Sequence, residues 1–134
     1  MKIYIGHSTD FNYREDLYRP LKSSKLSEEH ELVFPHESED FFNSREFLRE
    51  ECDLVIAEVS NASTGLGIEL GWASLFEVPV ICVFRSGSNP SGSLKAITDN
   101  FVEYTSVEDL KGYDMDGYSY SEQLSTDDEW VFIR

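Results

Sequence analysis

A glutamate near the start of a predicted helix is the side chain of this sequence best placed for chemistry. Glu69 lies in residues 64–73, shortly after the apolar run at residues 53–59. In α/β proteins, reactive groups gather where a buried strand ends and the next helix begins. An acidic residue in a first helical turn can also be present only because it interacts favourably with the helix dipole. The neighbouring residues must therefore decide between a reactive and a purely structural role.

The residues before Glu69 do not explain it as a helix cap. A capping box needs Ser, Thr, Asp or Asn three positions before the glutamate, and Leu66 stands there. The helix is apolar on several sides, so a carboxylate within it is expected to be partly desolvated. Nearby backbone N–H groups at the helix N-terminus would keep it ionised, as a carboxylate nucleophile requires.

Small and hydroxyl-bearing residues precede Glu69. Gly65 and Gly67 let a ligand approach the backbone, and Ser63 and Thr64 offer hydroxyl groups to an anion. A dinucleotide fingerprint would need a third glycine three residues after Gly67, where this chain has Leu70. We therefore expect a pocket for a ligand smaller than a dinucleotide.

The elements that would position these residues alternate between strand and helix. Strands are predicted at residues 2–5, 31–34, 54–59, 80–84 and 101–104. Helices are predicted at 12–26, 41–52, 65–77 and 94–99, with a last turn at 107–110 and with Pro20 kinking or shortening the first helix. This alternation predicts a flavodoxin- or Rossmann-like α/β three-layer sandwich around a mainly parallel sheet of about five strands.

The composition predicts one domain and excludes some partners. Residues 1–110 form the predicted domain, and residues 111–134 form a tail that packs on a neighbouring subunit or runs as an edge strand. The formal net charge of −15 would repel nucleic-acid polymers and anionic membrane surfaces. No stretch approaches the roughly 20 apolar residues of a membrane span, and the first residues resemble a strand rather than a signal peptide. A cytoplasmic protein is expected.

The cysteines and histidines do not indicate a metal centre. Cys52 and Cys82 are isolated, which is typical of buried free thiols. His7, His30 and His36 lack the spacing of metal ligands. We expect neither a metal ion nor a cofactor.

The chain around Glu69 resembles the nucleoside 2-deoxyribosyltransferase family and its relatives that hydrolyse nucleoside 5′-monophosphates. The residues that carry this resemblance are 53–73, with the core S-x-G-x-G-x-E-L-G, and the following strand at 79–85. The resemblance spans about residues 2 to 110. It implies that Glu69 attacks the anomeric carbon of the sugar, displaces the base and forms a glycosyl-enzyme ester, by the logic of a retaining glycosidase. Water or a second base would then resolve the ester. The family resemblance also implies a homodimer or larger assembly whose neighbouring chains complete the pocket.

The amino-terminal segment extends this resemblance. Residues 3–9 and 13–16 are similar to the family's first strand and sugar-phosphate loop. The resemblance implies that Tyr4 lines the pocket and that Gly6, His7 and Ser8 bind the sugar or phosphate end. Without it, Tyr4 would be a core aromatic residue and Ser8 a turn residue.

Two serines bear on the substrate. Ser63 stands six residues before Glu69, where the nucleotide-hydrolysing branch has a phosphate-contacting serine and the base-transferring branch a carboxylate. Ser93 matches a second phosphate-binding serine across an uncertain gap, and Lys95 competes for that position. Both serines could instead be solvated loop residues. The serine at position 63 favours a phosphorylated substrate.

One position departs from the family. An ungapped alignment puts Arg45 where the family has an aspartate that assists base protonation or holds the sugar. Glu46 is the preferred substitute as second catalytic group, with Asp40 and Glu50 nearby. Alternatively, Arg45 itself binds a phosphate or an altered base.

The expected function is cleavage of the N-glycosidic bond of a (deoxy)nucleoside or its 5′-monophosphate, by hydrolysis or base transfer. The departure at Arg45 keeps a second hypothesis open, a nucleotide-binding module that has lost the reaction. A third is an unrelated flavodoxin-like signalling or scaffold domain.

Overall fold

A single parallel sheet organises the chain in its computed structural model, which describes residues 1–105. The strands run in the order β2-β1-β3-β4-β5, and each neighbouring pair is parallel. The predicted α/β fold is confirmed. The strands are β1 (Lys2–His7), β2 (Glu31–Val33), β3 (Leu54–Glu58), β4 (Val80–Arg85) and β5 (Phe101–Tyr104).

The strand order reverses between β1 and β3, because the chain first moves outward to β2 and then returns to the other side of β1. Ligands of open parallel sheets bind beyond the carboxyl ends of the strands at such a reversal. Here the carboxyl ends of β1 and β3 are His7 and Glu58, which are paired in register. The loops that follow these two strands therefore border the expected binding crevice.

The two faces of the sheet carry separate hydrophobic cores, because alternate residues of a strand point to opposite sides. On one face Ile3, Ile5 and Ile56 pack with Leu17 and Leu21 of the first helical segment. On the other face a second cluster contains residues of β1, β3, β4 and two later helices. Its fully buried members include Tyr4, Leu48, Val55, Ala57, Leu66, Leu70 and Ala73.

The first helical segment is more broken than predicted. It comprises a wide π-helical turn (Arg14–Tyr18), α1 (Arg19–Lys22) and α2 (Lys25–Glu29). Pro20 lacks a backbone N–H and therefore suits the first turn of a helix, where that N–H would have no intrahelical partner, and the wide turn ends just before α1. The chain restarts at Ser24, whose side chain accepts a hydrogen bond from the backbone N–H of Ser27 and caps α2.

The helices that border the candidate site are α3 (Ser44–Glu50) and α4 (Thr64–Leu75), which pack against each other. Compared with the predicted segments, α3 begins three residues later and ends two residues earlier, whereas α4 begins one residue earlier and ends two residues earlier. Asn43 caps α3, and Ser63 caps α4. The predicted helix at 94–99 is a short 3₁₀ turn at Gly92–Ala96.

Several predictions fall on or near the end of the described chain. The helical turn at 107–110 and the tail at 111–134 lie outside the described residues, so the boundary between domain and tail stays a prediction. Within residues 1–105 no helix is long and apolar enough to cross a membrane. In that same range no group of three or more His, Cys, Asp and Glu side chains is arranged to hold a metal ion. Cys82 is buried and Cys52 half-buried, and neither forms a disulfide.

Candidate active site

A tyrosine–glutamate pair joins β1 to α4. The hydroxyl of Tyr4 donates a hydrogen bond to Oε2 of Glu69 at 2.7 Å. The Tyr4 ring is held against Phe42 and Phe47, each with its ring centroid at 6.0 Å. Because Tyr4 is 1% exposed, the phenol is fixed by packing and in turn orients the carboxylate.

The surroundings of Glu69 act on its pKa in opposite directions. Burial raises the pKa of Glu69, and hydrogen bonding by Tyr4 and Ser44 and the charge of His36 lower it. Burial and the neighbouring carboxylate raise the pKa of Tyr4. The phenol therefore stays protonated and donates, while the carboxylate accepts.

Sequence reasoning missed Ser44 and His36, which both act on the pKa of Glu69. Ser44 begins α3, and hydrogen bonding by its hydroxyl affects the pKa of both Tyr4 and Glu69. His36 lies in the loop after β2. The only sequence signal for Ser44 was its position next to Arg45, and His36 had none, because both neighbours arise from tertiary packing.

A cleft at the N-terminus of α4 brings together the predicted anion-binding residues. It has a volume of ≈ 350 Å³, and Ser63, Gly67 and Ser93 all line it. The Ser63 side chain accepts a hydrogen bond from the backbone N–H of Leu66 at 3.2 Å. A Cβ atom added at Gly65 or Gly67 would meet no atom within 4 Å, so the backbone here is open to a ligand.

Gly6, His7 and Ser8 are buried in the fold. A Cβ atom on Gly6 would lie 2.9 Å from Cδ1 of Leu66, so the glycine allows α4 to pack on β1. Ser8 is 2% exposed, and its hydroxyl accepts a hydrogen bond from the backbone N–H of Asp10. These contacts are structural, and the substrate-binding roles of all three residues stay predictions.

His7 is fixed in one neutral form. Its Nδ1 lies 2.7 Å from the carbonyl oxygen of Ser8, and its Nε2 lies 2.6 Å from the hydroxyl of Tyr18. A carbonyl can only accept, so Nδ1 carries the proton and Nε2 accepts from Tyr18. Burial lowers the pKa of His7 to about 4.

Arg45 and Glu46 both lie exposed on α3. The backbone N–H of Glu46 donates to Oδ1 of Asn43 at 3.1 Å, and Nδ2 of Asn43 lies 3.5 Å from Oε1 of Glu46. This reciprocal arrangement resembles a capping box and gives Glu46 a structural role at the start of α3. The catalytic role of Glu46 and the binding role of Arg45 stay predictions.

Comparison with known sequences gives short matches. No family model matches the chain. A UPF0246 protein of Clostridium perfringens is 46% identical over 41 residues, and one of Colwellia psychrerythraea is 53% identical over 30 residues. These segments cover 31% and 22% of this chain, and only 15% and 12% of the length of those proteins.

Comparison with solved structures covers most of the chain. A CMP N-glycosidase of Clostridium botulinum superposes with a TM-score of 0.59 at 18% identity, covering 83% of this chain and 96% of the other. A 2-deoxyribosyltransferase of Bacillus psychrosaccharolyticus superposes with a TM-score of 0.61 at 19% identity, covering 87% and 94%. At this level of identity the likeness establishes a shared fold.

Proposed function

We propose that this protein is an enzyme of the nucleoside 2-deoxyribosyltransferase type that cleaves the N-glycosidic bond of a nucleoside 5′-monophosphate. The observation that carries the proposal is the hydrogen bond from Tyr4 to Glu69, which lies in the second turn of α4, the helix whose N-terminus lines the cleft. The shared fold with a CMP N-glycosidase and a 2-deoxyribosyltransferase supports it.

In the proposed reaction Glu69 acts as the nucleophile. One carboxylate oxygen attacks the anomeric carbon while the bond to the base nitrogen breaks, and the electron pair of that bond leaves with the base. Tyr4 holds Oε2 and so limits the orientations of the carboxylate. Partial burial weakens the solvation of the charge, which makes the carboxylate more reactive once substrate excludes water. Attack of water or of a second base on the resulting ester releases Glu69.

The cleft at the start of α4 supports a phosphorylated substrate. Backbone N–H groups at a helix N-terminus favour a bound anion, and the helix dipole adds to this. Ser63 and Ser93 line the same cleft, although 30 positions separate them in the sequence. Hydroxyl groups on two sides of an open backbone suit the several acceptor oxygens of a phosphate.

A nucleotide-binding module without the reaction is the second candidate, and one observation favours it. Among residues 1–105, the charged group that acts on the pKa of Glu69 is His36, and no second carboxylate does so. A binding module would show affinity for nucleotides by calorimetry without releasing any base.

The test is chromatographic detection of free base from ribo- and deoxyribonucleosides and their 5′-monophosphates, with and without an acceptor base. We expect release from a monophosphate by the wild type and by Glu103→Gln, a control on the exposed side of β5. Glu69→Gln should lower the rate by at least about a thousandfold, because the covalent step loses its nucleophile. Retained turnover by Glu69→Gln would overturn the assignment.

The exposed face of α4 supports a homo-oligomer. Ile68 and Leu75 are 49% and 71% exposed, and Trp72 lies between them on the same helical face. Apolar residues with this spacing form a stripe that a second copy can cover. The proposed assembly is a homodimer or a larger homo-oligomer.

A further inference from the structure

One buried carboxylate takes no part in the proposed reaction. Glu58 ends β3 and is 3% exposed. Because alternate residues of a strand face opposite sides, Glu58 lies on the same side of the sheet as Ile56, whereas Tyr4 and Val55 face the other side, which α4 covers. A buried carboxylate costs free energy unless hydrogen bonds satisfy it. The partners of Glu58 therefore indicate what it does.

These partners are one loop residue and one tyrosine. The backbone N–H of Ser60 donates a hydrogen bond to Oε1 of Glu58 at 2.9 Å, and the Ser60 hydroxyl donates one to Oε2 at 2.7 Å. The hydroxyl of Tyr104 also donates to Oε2. Tyr104 lies on β5, at the edge of the sheet and two strands from β3. The carboxylate thus joins the loop after β3 to the far edge of the sheet.

Ser60 is also held by β4. Its Oγ accepts a hydrogen bond from the backbone N–H of Arg85 at 2.8 Å. This bond uses the hydroxyl as an acceptor and leaves its proton for the carboxylate. The backbone N–H of Val59 donates to the carbonyl oxygen of Val83 at 2.9 Å. Together, β4 and the carboxylate fix the first two residues of the β3–α4 loop, residues 59–63.

The rest of the β3–α4 loop borders the cleft proposed for phosphate. Asn61, Ala62 and Ser63 all line this cleft. The backbone N–H groups of Asn61 and Ala62 have no hydrogen-bond partner among residues 1–105, so they are available to an anion. Ser63 is held by its bond to the backbone N–H of Leu66. The two available N–H groups therefore depend for their position on Ser60 before them and on Ser63 after them.

We propose that Glu58 is a positioning residue for a phosphorylated substrate, an inference that rests on the proposed function. Glu58 holds Ser60, and through Ser60 it keeps the available backbone N–H groups of the β3–α4 loop in place for the phosphate. It contacts neither the sugar nor the base, because it lies on the opposite side of the sheet from the pair of Tyr4 and Glu69.

Loss of this support changes substrate binding and leaves the chemical step intact. A loop that is no longer held must be ordered when the phosphate binds, and ordering the backbone of one residue costs roughly tenfold in affinity. KM should therefore rise for a 5′-monophosphate, whereas the matching nucleoside has no phosphate and should keep its KM. Glu69 keeps its partner Tyr4, so kcat should stay near the wild-type value. A merely structural role for Glu58 would affect both substrates alike.

The decisive experiment measures kcat and KM of Ser60→Ala for the fastest 5′-monophosphate of the substrate panel and for its nucleoside. The variant removes the hydroxyl that joins Glu58 to the backbone of Arg85, and Ser60 is only half-buried, so the fold tolerates the change. KM for the monophosphate should rise roughly tenfold. Glu58→Gln should change KM in the same direction, because an amide nitrogen accepts no hydrogen bond and one of the two bonds from Ser60 is lost. Equal changes on both substrates, or no change on either, would overturn the proposal.

A matched control and a binding measurement complete the test. Ser88→Ala also removes a hydroxyl at the carboxyl edge of the sheet, one that donates to the carbonyl oxygen of Arg85 at 2.6 Å. Ser88 lies outside the residues that line the phosphate cleft, so this variant should keep the wild-type values.

Calorimetry with 2-deoxyribose 5-phosphate measures binding without turnover. Its dissociation constant should rise in Ser60→Ala and stay unchanged in Ser88→Ala. Weaker binding by Ser60→Ala in a protein that releases no base would support the positioning role in a nucleotide-binding module. If Glu69→Gln is inactive and Ser60→Ala binds this phosphate as the wild type does, the proposed function stands and Glu58 has no positioning role.

Discussion

The Tyr4 hydroxyl opposes the effect of burial on how readily Glu69 loses its proton. Burial alone would favour the neutral carboxyl group, which cannot attack a sugar carbon. The hydrogen bonds from Tyr4 and Ser44 act against burial and favour the ionised form. On balance the pKa of Glu69 stays raised, because burial is the largest of these effects.

Replacing Tyr4 with Phe should shift the pH dependence of catalysis. Loss of the donor raises the pKa of Glu69 further, so the acid limb of kcat/KM moves to higher pH. A hydrogen bond to a charged group contributes about 1.5–3 kcal/mol, which predicts a loss of roughly 10- to 100-fold in kcat/KM on the acid limb. Rate measurements across pH will check this. An unmoved acid limb would show that the bond does not control the nucleophile.

Replacing Glu69 with Gln should stabilise the protein at neutral pH while abolishing activity. The folded protein raises the pKa of Glu69 above its unfolded value near 4.3, so the folded state carries the cost of a buried charge once the pH exceeds the folded pKa. This cost of the buried charge falls as the pH drops, and it is absent below the pKa that Glu69 has in the unfolded chain. Gln can still accept a hydrogen bond from Tyr4. In urea unfolding, the free energy of unfolding should be higher for the variant than for the wild type at pH 7, and this difference should disappear below about pH 4. A variant that is less stable at pH 7 would contradict this account.

The N-terminus of α4 combines a structural and a binding role. Ser63 caps the helix through the backbone N–H of Leu66, and its hydroxyl lines the cleft proposed for phosphate. A simple loss of the hydroxyl would therefore affect stability and binding together. The two roles can be separated, because aspartate caps a helix as well as serine does.

Ser63→Asp should keep α4 stable and change substrate preference. The carboxylate can accept the same backbone hydrogen bond but repels a phosphate, so kcat/KM should fall for a 5′-monophosphate and stay near wild type for the matching nucleoside. Ser63→Ala is the comparison, with a stability loss of about 1 kcal/mol from the missing cap. The ratio of the two kcat/KM values is the readout. An unchanged ratio in Ser63→Asp would place the phosphate elsewhere.

Local patterns predicted the strands well and the first helical segment poorly. β5 was predicted at its observed bounds, residues 101–104, because short apolar runs between turn residues indicate strands directly. The segment around Pro20 has helical spacing in the sequence but forms three pieces, because one helical piece begins next to Pro20 and another begins after the Ser24 cap. Neither feature changes the hydrophobic pattern.

The site residues that lie together in one segment of the sequence could be predicted from their spacing. Glu69, Ser63 and the two glycines share one strand–helix junction, so their spacing alone indicated a pocket. Tyr4 came from the resemblance in the first strand. Ser44 and His36 act on the pKa of Glu69 from two other segments of the chain, and one sequence does not reveal such effects. The capping role of Glu46 was visible in Asn43-x-x-Glu46 and was overlooked.

At the scale of the whole molecule, the net charge of −15 and the apolar stripe on α4 have opposite effects on self-association. Two copies repel at long range, whereas burial of Ile68 and Leu75 favours contact. Salt screens the repulsion without weakening the apolar contact. Self-association should therefore tighten as ionic strength rises.

Leu75→Glu should convert the oligomer into a monomer. The substitution places a charge within the proposed apolar contact, where it would be buried without a partner, and adds to the repulsion between acidic copies. Ser74→Glu is the matched control, since it adds the same charge at the neighbouring exposed position. Sedimentation velocity at micromolar concentration should give an oligomer for the wild type and the control. A monomeric wild type, or an intact Leu75→Glu oligomer, would rule out this face as the interface.

The covalent ester at Glu69 is the central claim, and intact-protein mass spectrometry with peptide mapping tests it most directly. A 2-deoxy-2-fluoro analogue of the best 5′-monophosphate substrate slows hydrolysis of a glycosyl ester, because fluorine destabilises the oxocarbenium-like transition state. We predict a mass increase equal to the fluorinated sugar phosphate less one water, located on the peptide that contains Glu69 and absent in Glu69→Gln. Base release by the wild type without any adduct, or with an adduct on a different residue, would contradict the account.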